Sequence, residues 1–384
     1  MDWKHAKVTA IFKKGEKRKP NNYRPVSLTS IPCKIMESLV RDQIMMHMKR
    51  NNLFSNKQFG FLDGRSTVLQ LLVVLDKWTK IIDEGGSIDC VYCDFKKAFD
   101  KVPHERLLRK IEGYGIRGEI LGWIRAFLSD RTQQVIVNGE ASQCKDVTSG
   151  IPQGSVLGPL LFVIFINDFP SQVKSDIFLF ADDTKIFRTI NSIDDKDTLQ
   201  NDITTMVQWA DKWQLEFHPD KCVSMSINYK GEQPRIYKMK ETILKQVHQE
   251  KDIGVIVDDQ LKFESHIYEK INKANSMMGL IRRSFIHMDE DIFKKLFKAL
   301  VRPHLEYANS IWHPTKIKDI TAIENVQRRA TKYLPAMKNL SYEERLQKLE
   351  LPTLQFRRLR GDMIETYKLM TGYYDETASN IMPK

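Results

Sequence analysis

The chain runs to 384 residues, with 60 Lys and Arg against 49 Asp and Glu, for a formal net charge of +11. Hydrophobic residues make up 42% and charged residues 28%, a globular balance that excludes disorder as the default. The positive excess favours a polyanionic partner. Nucleic acid is preferred to a membrane, because the longest apolar runs, such as residues 160–166, are far shorter than the roughly 20 residues that span a bilayer.

Length alone prompts two or three subdomains. The opening Met1-Asp2-Trp3-Lys4-His5 lacks the apolar stretch of a secretory signal. The cysteines, Cys33, Cys90, Cys93, Cys144 and Cys222, are odd in number and sparse, which reads as a reduced, intracellular chain. Cys90 and Cys93 lie on an apolar strand and face opposite ways, so they read as core rather than as a metal pair.

In chain order, residues 6–12 and 25–28 read as short strands around a basic turn. Helical spacing of Ile35, Leu39, Ile44 and Met48 predicts a helix over 34–51, and a second over 67–83 ends at Gly85-Gly86. Residues 91–95 form a strand, 106–114 and 118–128 helices, and 133–138 with 144–148 a hairpin around Gly139. A buried helix over 155–168 follows, despite Pro159. Strands at 177–181 and 185–189 flank Asp182-Asp183-Thr184, ahead of a helix over 199–214 and a strand over 222–228. Beyond residue 260 the pattern is helical: 264–285, 289–308, 320–334, 342–349 and 354–370. The expected fold is α+β, mixed over residues 1–258 and all-helical over 259–384.

Three carboxylates carry the chemical argument. Asp94 ends an apolar strand, and Asp182 and Asp183 join two others. Two like charges 4 Å apart repel by roughly 4 kcal/mol at an effective dielectric of 20. Hard divalent cations such as Mg²⁺ remove that penalty, and a pair of them can clamp an in-line phosphoryl transfer. Taken singly, Asp182-Asp183 reads as a solvated turn and Asp94 as a strand end. Their combination with the sequence between them decides otherwise.

Val91-Tyr92-Cys93-Asp94-Phe95, followed by Ala98-Phe99-Asp100, resembles the reverse-transcriptase palm motif whose first Asp binds metal. Ser149-Gly150-Ile151-Pro152-Gln153-Gly154-Ser155 resembles the next polymerase motif, and Phe180-Ala181-Asp182-Asp183 the metal-binding hairpin, all in the family's order. Asn22-Tyr23-Arg24-Pro25 and Gln58-Phe59-Gly60-Phe61 through Gly64-Arg65-Ser66-Thr67 resemble fingers motifs of non-long-terminal-repeat, jockey-like retrotransposons. Residues 215–222 and 253–258 resemble late palm motifs.

The resemblance implies a right-hand polymerase fold, with fingers and palm over 1–258 and a helical thumb and C-terminal region over 259–384. It implies an RNA-directed DNA polymerase with an RNA template, a DNA primer and deoxynucleotides as partners, no membrane, and two Mg²⁺ ions (Mn²⁺ as substitute). Its site of action would be the nucleus. Asp94 and Asp182 would ligate both ions, with the Phe95 carbonyl and Asp183 completing the cluster. Phe99 would gate the incoming sugar against a 2′-hydroxyl, where the bland reading is a core ring. Gln153 and Gly154 would lie against the nascent pair and the sugar, glycine permitting close backbone approach. Arg24 and Lys13 would bind the triphosphate. Lys221 would protonate the pyrophosphate, or simply be a surface lysine. Arg65 and Ser66 would hold the template.

Beyond residue 260, Lys270, Lys273, Arg282, Arg283, Lys294, Lys295 and Lys298 could track a duplex backbone. Ile267, Ile271, Ala274, Met278 and Ile281 fit a buried helix stripe. The chain departs from the family pattern at Phe59 and Leu62, where His and Arg are usual. The upstream endonuclease of such elements has no room here, and Asp2-Trp3-Lys4 resembles an interior stretch, so a fragment of a mobile element is expected. Two rivals remain: an inactive, nucleic-acid-binding remnant, and another palm polymerase such as an intron maturase or a viral RNA-dependent enzyme. The Ala98-Phe99-Asp100 and Phe180-Ala181-Asp182-Asp183 signatures favour the retrotransposon group over the latter.

Overall fold

The structure, a computed structural model, describes residues 3–231 and 235–378. The chain opens with β1 (His5–Phe12) and β2 (Tyr23–Leu28), then α1 (Ile31–Arg50) and α2 (Thr67–Asp83). β3 (Ile88–Cys93), buried along its length, leads into α3 (Ala98–Lys101), α4 (His104–Gly113) and α5 (Gly118–Leu128). β4 (Arg131–Val137), β5 (Glu140–Ala141) and β6 (Lys145–Val147) precede α6 (Gly158–Ile166). β7 (Asp176–Phe180) and β8 (Asp183–Thr189) form a hairpin, followed by α7 (Ile193–Trp213) and β9 (Val223–Ile227). Five short strands come next: β10 (Lys238–Met239), β11 (Thr242–Ile243), β12 (Lys245–Gln246), β13 (Gln249–Asp252) and β14 (Val255–Asp258). The remainder is helical: α8 (Glu264–Ser284), α9 (Glu290–Leu296), α10 (Arg302–Glu306), α11 (Asn309–Trp312), α12 (Ile317–Thr331), α13 (Tyr342–Leu349) and α14 (Leu354–Met370).

Where these elements depart from expectation, the local chemistry explains it. α7 begins six residues early because Ser192 and Asp195 form a reciprocal capping box on a polar first turn. The helix expected over 289–308 breaks into α9, a wider π turn over Phe297–Val301, and α10. Pro303 lacks an amide hydrogen and crowds the preceding turn, which favours such an adjustment. The turn between β4 and β5 is Asn138-Gly139, both at positive φ, as a two-residue hairpin requires.

The chain divides into two compact units. The first comprises Met1–Asp63, Asp89–Ser224 and Gln233–Gln246. Its larger sheets run β2-β1-β4-β5, with β6 also on β4, and β12-β9-β3-β8-β7. β3 is therefore central, flanked by β9 and β8, and its last residue is followed at once by Asp94. α6 is buried on every side, including Phe162 and Phe165 at 0% exposure. Burial of each such ring stabilises by about 1.5–3 kcal/mol. The expected buried helix is thus present, shortened to Gly158–Ile166.

Two charged groups cross-brace this core. Lys110 of α4 donates to the Phe165 carbonyl at 2.6 Å and to Asp168 at 2.5 Å, with the Trp213 ring 3.7 Å from its ammonium. Burial pulls its pKa down to about 8. Asp89, 1% exposed in β3, accepts from Tyr237 at 2.5 Å and pairs with Arg235 at 3.0 Å. The segment entering β10 is thereby pinned to the central strand.

The second unit comprises Gly64–Ile88, Met225–Glu232 and Val247–Lys384. Its long helix α8 buries Ile267, Ile271, Ala274, Met278 and Ile281, the expected stripe, against α10 and α12. Lys270 is not among the solvent-facing cations: it is 8% exposed and donates to the Gly254 carbonyl at 3.1 Å. Among the described residues, no helix is long and apolar enough to cross a membrane.

His266, 0% exposed on α8, accepts from the Ile256 amide at 3.0 Å. Burial first, then the Lys270 charge, lowers its pKa to about 4. Between about pH 6.5 and 4 the unfolded chain takes the proton while the folded chain does not, so its stability contribution is present above the unfolded value and lost on acidification. The expected loss approaches 1.4 kcal/mol per pH unit across that window. Thermal unfolding followed from pH 7 to 4 should show His266→Gln losing less stability than wild type; parallel curves would contradict the assignment.

Candidate active site

All the residues expected to touch metal or nucleotide lie in the first unit. β7 and β8 pair up to Phe180↔Asp183, so the turn is only Ala181-Asp182, and Asp183 belongs to the strand. Ala181 sits at φ 56°, an unusual angle for a residue with a Cβ. Gln58 holds it there. Its fully buried side-chain oxygen accepts from the Ala181 amide at 3.0 Å and the Gly60 amide at 2.8 Å. A Cβ on Gly60 would stand 2.5 Å from the Ala181 nitrogen, which is why glycine follows Phe59 here.

The sheet brings Asp94 and Asp182 together, since β3 and β8 are neighbours. The Asp182 carboxyl is held above the usual carboxylate range, chiefly by burial; Asp94 pushes the same way, and Arg24 and Lys13 oppose it. Asp94, Asp182, Arg24 and Lys13 thus form one electrostatic group. Arg24, on β2, and Lys13, whose amide donates to the Asn22 carbonyl at 2.8 Å, are both exposed. Lys221 lies in the turn Pro219–Lys221, its ammonium 2.9 Å from Asp94. Asp183 is exposed beside the turn.

Backbone bonds fix the height of Asp94. Its carbonyl accepts from His218 at 2.8 Å, and Lys96 donates to Glu216 at 2.7 Å. The Phe95 ring stacks on Phe217 with centroids 4.2 Å apart. The Asp94 amide meets the Cys222 sulfur at 3.4 Å. Cys93 also bonds Cys222, which together with burial holds its thiol protonated. Cys90 and Cys93 are buried, as expected, whereas the Cys93–Cys222 contact leaves no trace in sequence spacing.

The loop after β6 is laced to α3 and β2. The Ile151 amide donates to the Phe99 carbonyl at 2.8 Å, and Ser27 of β2 donates to the Gln153 carbonyl at 2.6 Å. The Gln153 side chain donates to Asp100 at 2.8 Å. Gly154, at φ 108°, leaves no room for a Cβ, which would lie 2.5 Å from the Ser27 carbonyl oxygen. Phe99 is half-buried and stacks on Phe162 at 4.4 Å.

Arg65 and Ser66 lie in the second unit and have structural partners there. Arg65 pairs with Asp375 at 2.8 Å, leaving its side chain 3% exposed, and Ser66 caps α2 through the Leu69 amide at 3.0 Å. Phe59 and Leu62, the departures from the family pattern, are both buried in the first unit, Phe59 against Phe178 at 5.9 Å. Gln58 and Asp100 are the supporting residues that spacing alone did not single out, although both sit inside quoted motifs.

The oxygen-only donor chemistry of Asp94, Asp182 and Asp183, with burial and Asp94 disfavouring the Asp182 charge, suits a hard divalent cation. Among the described residues, no group of three or more His, Cys, Asp or Glu side chains is gathered closely enough to hold one. Two carboxylates in mutual contact of charge and a third at the strand edge are what the fold provides.

Sequence comparison gives the family. The profile of the reverse transcriptase (RNA-dependent DNA polymerase) family matches residues 11–264. The chain belongs to that family. It is 28% identical over 338 residues to the probable RNA-directed DNA polymerase from transposon X-element of Drosophila melanogaster, covering 84% of this chain and 37% of that protein. It is 27% identical over 340 residues to the RNA-directed DNA polymerase from mobile element jockey of Drosophila funebris, covering 83% and 37%. The chain thus spans well under half the length of these curated relatives. Telomerase from Candida albicans, solved in complex with a TWJ fragment of telomeric RNA, superimposes with a TM-score of 0.50 at 11% identity, covering 88% of this chain and 63% of that one. The α+β polymerase fold expected from sequence is the fold the chain has.

Gly154→Ala should disrupt the loop, adding about 1–2 kcal/mol of left-handed strain to the backbone collision. Hydrogen exchange at the Ser27 amide measures it: faster exchange is expected, and unchanged protection would mean the loop tolerates a Cβ.

Proposed function

We propose that this chain is an RNA-directed DNA polymerase, adding deoxynucleotides to a primer 3′-hydroxyl on an RNA template. The observation that carries the reading is the meeting of Asp94 and Asp182 beside Arg24 and Lys13. Asp94 and Asp182 would hold two Mg²⁺ ions, or Mn²⁺ in their stead, with Asp183 and the Phe95 carbonyl as further oxygen donors. When bound, such ions neutralise the attacking and leaving oxygens of an in-line displacement.

The chain's own side chains supply the rest. Arg24 and Lys13, exposed cations facing the carboxylates, bind the triphosphate and offset its charge. Phe99, backed by Phe162, cannot retreat easily and so stands as a wall against a 2′-hydroxyl. Asp100 accepts one amide hydrogen of Gln153, leaving its carbonyl oxygen for a substrate hydroxyl, while Gly154 lets the backbone approach. Lys221 holds Asp94 at 2.9 Å, and its Nζ can deliver a proton to pyrophosphate once that pair opens. Arg65 and Ser66, committed to Asp375 and the α2 cap, aid the template by shaping their loop.

By role, residues 1–258 are fingers and palm and 259–384 a helical thumb, a division that cuts across the two compact units. Exposed cations on α8 and α9, such as Arg282, Arg283 and Lys295, give the thumb salt-sensitive affinity for a duplex backbone. The site of action on this reading is the nucleus.

Extension of a DNA primer on an RNA template with Mg²⁺ tests the reading. Asp182→Asn should cut incorporation by about 10²–10³-fold or more, the scale of losing one preorganised charge contact; near-normal turnover would discard the metal role. No incorporation by folded wild type would leave an inactive nucleic-acid-binding remnant. Phe99→Val should improve ribonucleotide use relative to deoxynucleotide on the order of tenfold, and unchanged sugar selectivity would remove the gate.

A further inference from the structure

One carboxylate outside the acidic cluster is fully buried and committed to backbone. Glu37 of α1 is 0% exposed. Its Oε2 accepts from the Val156 amide at 2.7 Å and the Leu157 amide at 2.9 Å. Its Oε1 accepts from the Cys33 thiol at 3.4 Å. Burial, and then the Glu37 charge, pushes that thiol up to about 11, so it remains a donor. Arg131, 2% exposed, lies within electrostatic reach of both.

The two amides that Glu37 receives belong to the loop carrying Gln153 and Gly154. Between them and Gly154, Ser155 closes the turn: its amide donates to the Pro152 carbonyl at 3.2 Å, and its hydroxyl accepts from Gly158 at 2.9 Å. A loop so closed moves as a piece. Its front edge rests on Ser27 of β2, the strand that bears Arg24. Its rear edge rests on Glu37. A carboxylate is the strongest acceptor for paired amides at a helix entrance, and its charge suits the N-terminal end of α6.

We infer that Glu37 is a positioning residue for deoxynucleotide binding: from behind, it sets where Gln153 and Gly154 stand relative to Arg24. The inference rests on the polymerase reading above. Glu37 touches no substrate. Its influence passes through Val156, Leu157 and the closed turn. A displaced loop moves Gln153 from its place beside Asp100, and a shift of about 1 Å remote from the chemistry can cost on the order of 10²-fold.

The test compares the 384-residue wild-type chain with Glu37→Ala and Glu37→Gln. Single-nucleotide extension on an RNA template with Mg²⁺ gives kcat and KM for the deoxynucleotide, and a binding titration gives primer–template affinity. Hydrogen exchange reads the Val156 and Leu157 amides directly. Glu37→Ala should raise the deoxynucleotide KM by roughly tenfold or more and speed exchange of those amides by a similar factor, with primer–template affinity unchanged. Glu37→Gln keeps an acceptor oxygen and should recover most of the KM and the protection at wild-type melting temperature, which keeps the test open if the alanine variant fails to fold. A merely structural role would move melting temperature and primer–template affinity together and leave KM alone, and that result overturns the inference. Wild-type KM and protected amides in both variants overturn it too. Absence of incorporation by folded wild type overturns the polymerase reading itself, and this inference with it.

Discussion

The structure is organised around a repulsion. Asp94, at the end of β3, and Asp182, in the β7–β8 turn, lie far apart in sequence, and the sheet order β9-β3-β8 brings them into each other's field. Nothing in folding rewards such a meeting, because burial and like charge both oppose ionisation of Asp182. The arrangement persists because its surroundings over-determine it. Gln58 holds the turn, Cys222 and His218 hold the Asp94 backbone, and Lys221 lends a positive charge. Structural effort concentrated on an unfavourable pair is the pattern that a site kept for chemistry would require.

The same logic extends to the backbone. Gly154 and Gly60 stand where a single added carbon would strike a carbonyl oxygen or an amide nitrogen 2.5 Å away. These collisions show how closely the loop after β6 approaches β2, and the segment carrying Gln58 and Gly60 approaches the β7–β8 turn, in the first unit. The cations of the group come from β2 and the turn preceding it, the carboxylates from β3 and the β7–β8 turn. A sheet edge with its preceding turn and a hairpin tip together present charges of both signs. A triphosphate with divalent cations is the kind of ligand that such an arrangement suits.

Much of this was legible in the sequence, for identifiable reasons. Helices such as Thr67–Asp83, Gly118–Leu128, Tyr342–Leu349 and Leu354–Met370 carry clear periodicity and firm ends, and their expected bounds are the observed ones. The motifs around Asp94, Gln153 and Asp182 were readable because they combine strand, turn and acid in a fixed order. Three things were hidden. The early start of α7 depends on a capping box over a polar turn that lacks apolar periodicity. The break at the π turn reflects Pro303 acting at a distance of one turn. The supporting contacts of Gln58, Asp100, Glu37 and Cys222 join residues remote in the chain, and no local pattern encodes a partner. Phe59 shows the converse: as a departure from a motif it looked like a lost contact, while in three dimensions it is a buried ring against Phe178.

The central claim is that burial and Asp94 disfavour the Asp182 charge, and that bound cations would relieve this. A carbon-detected NMR titration of its side-chain carboxyl addresses this directly. Without divalent ions the carboxyl should titrate above the ordinary aspartate value of about 3.9, and Mg²⁺ should bring the midpoint down. An ordinary midpoint indifferent to Mg²⁺ would contradict the account.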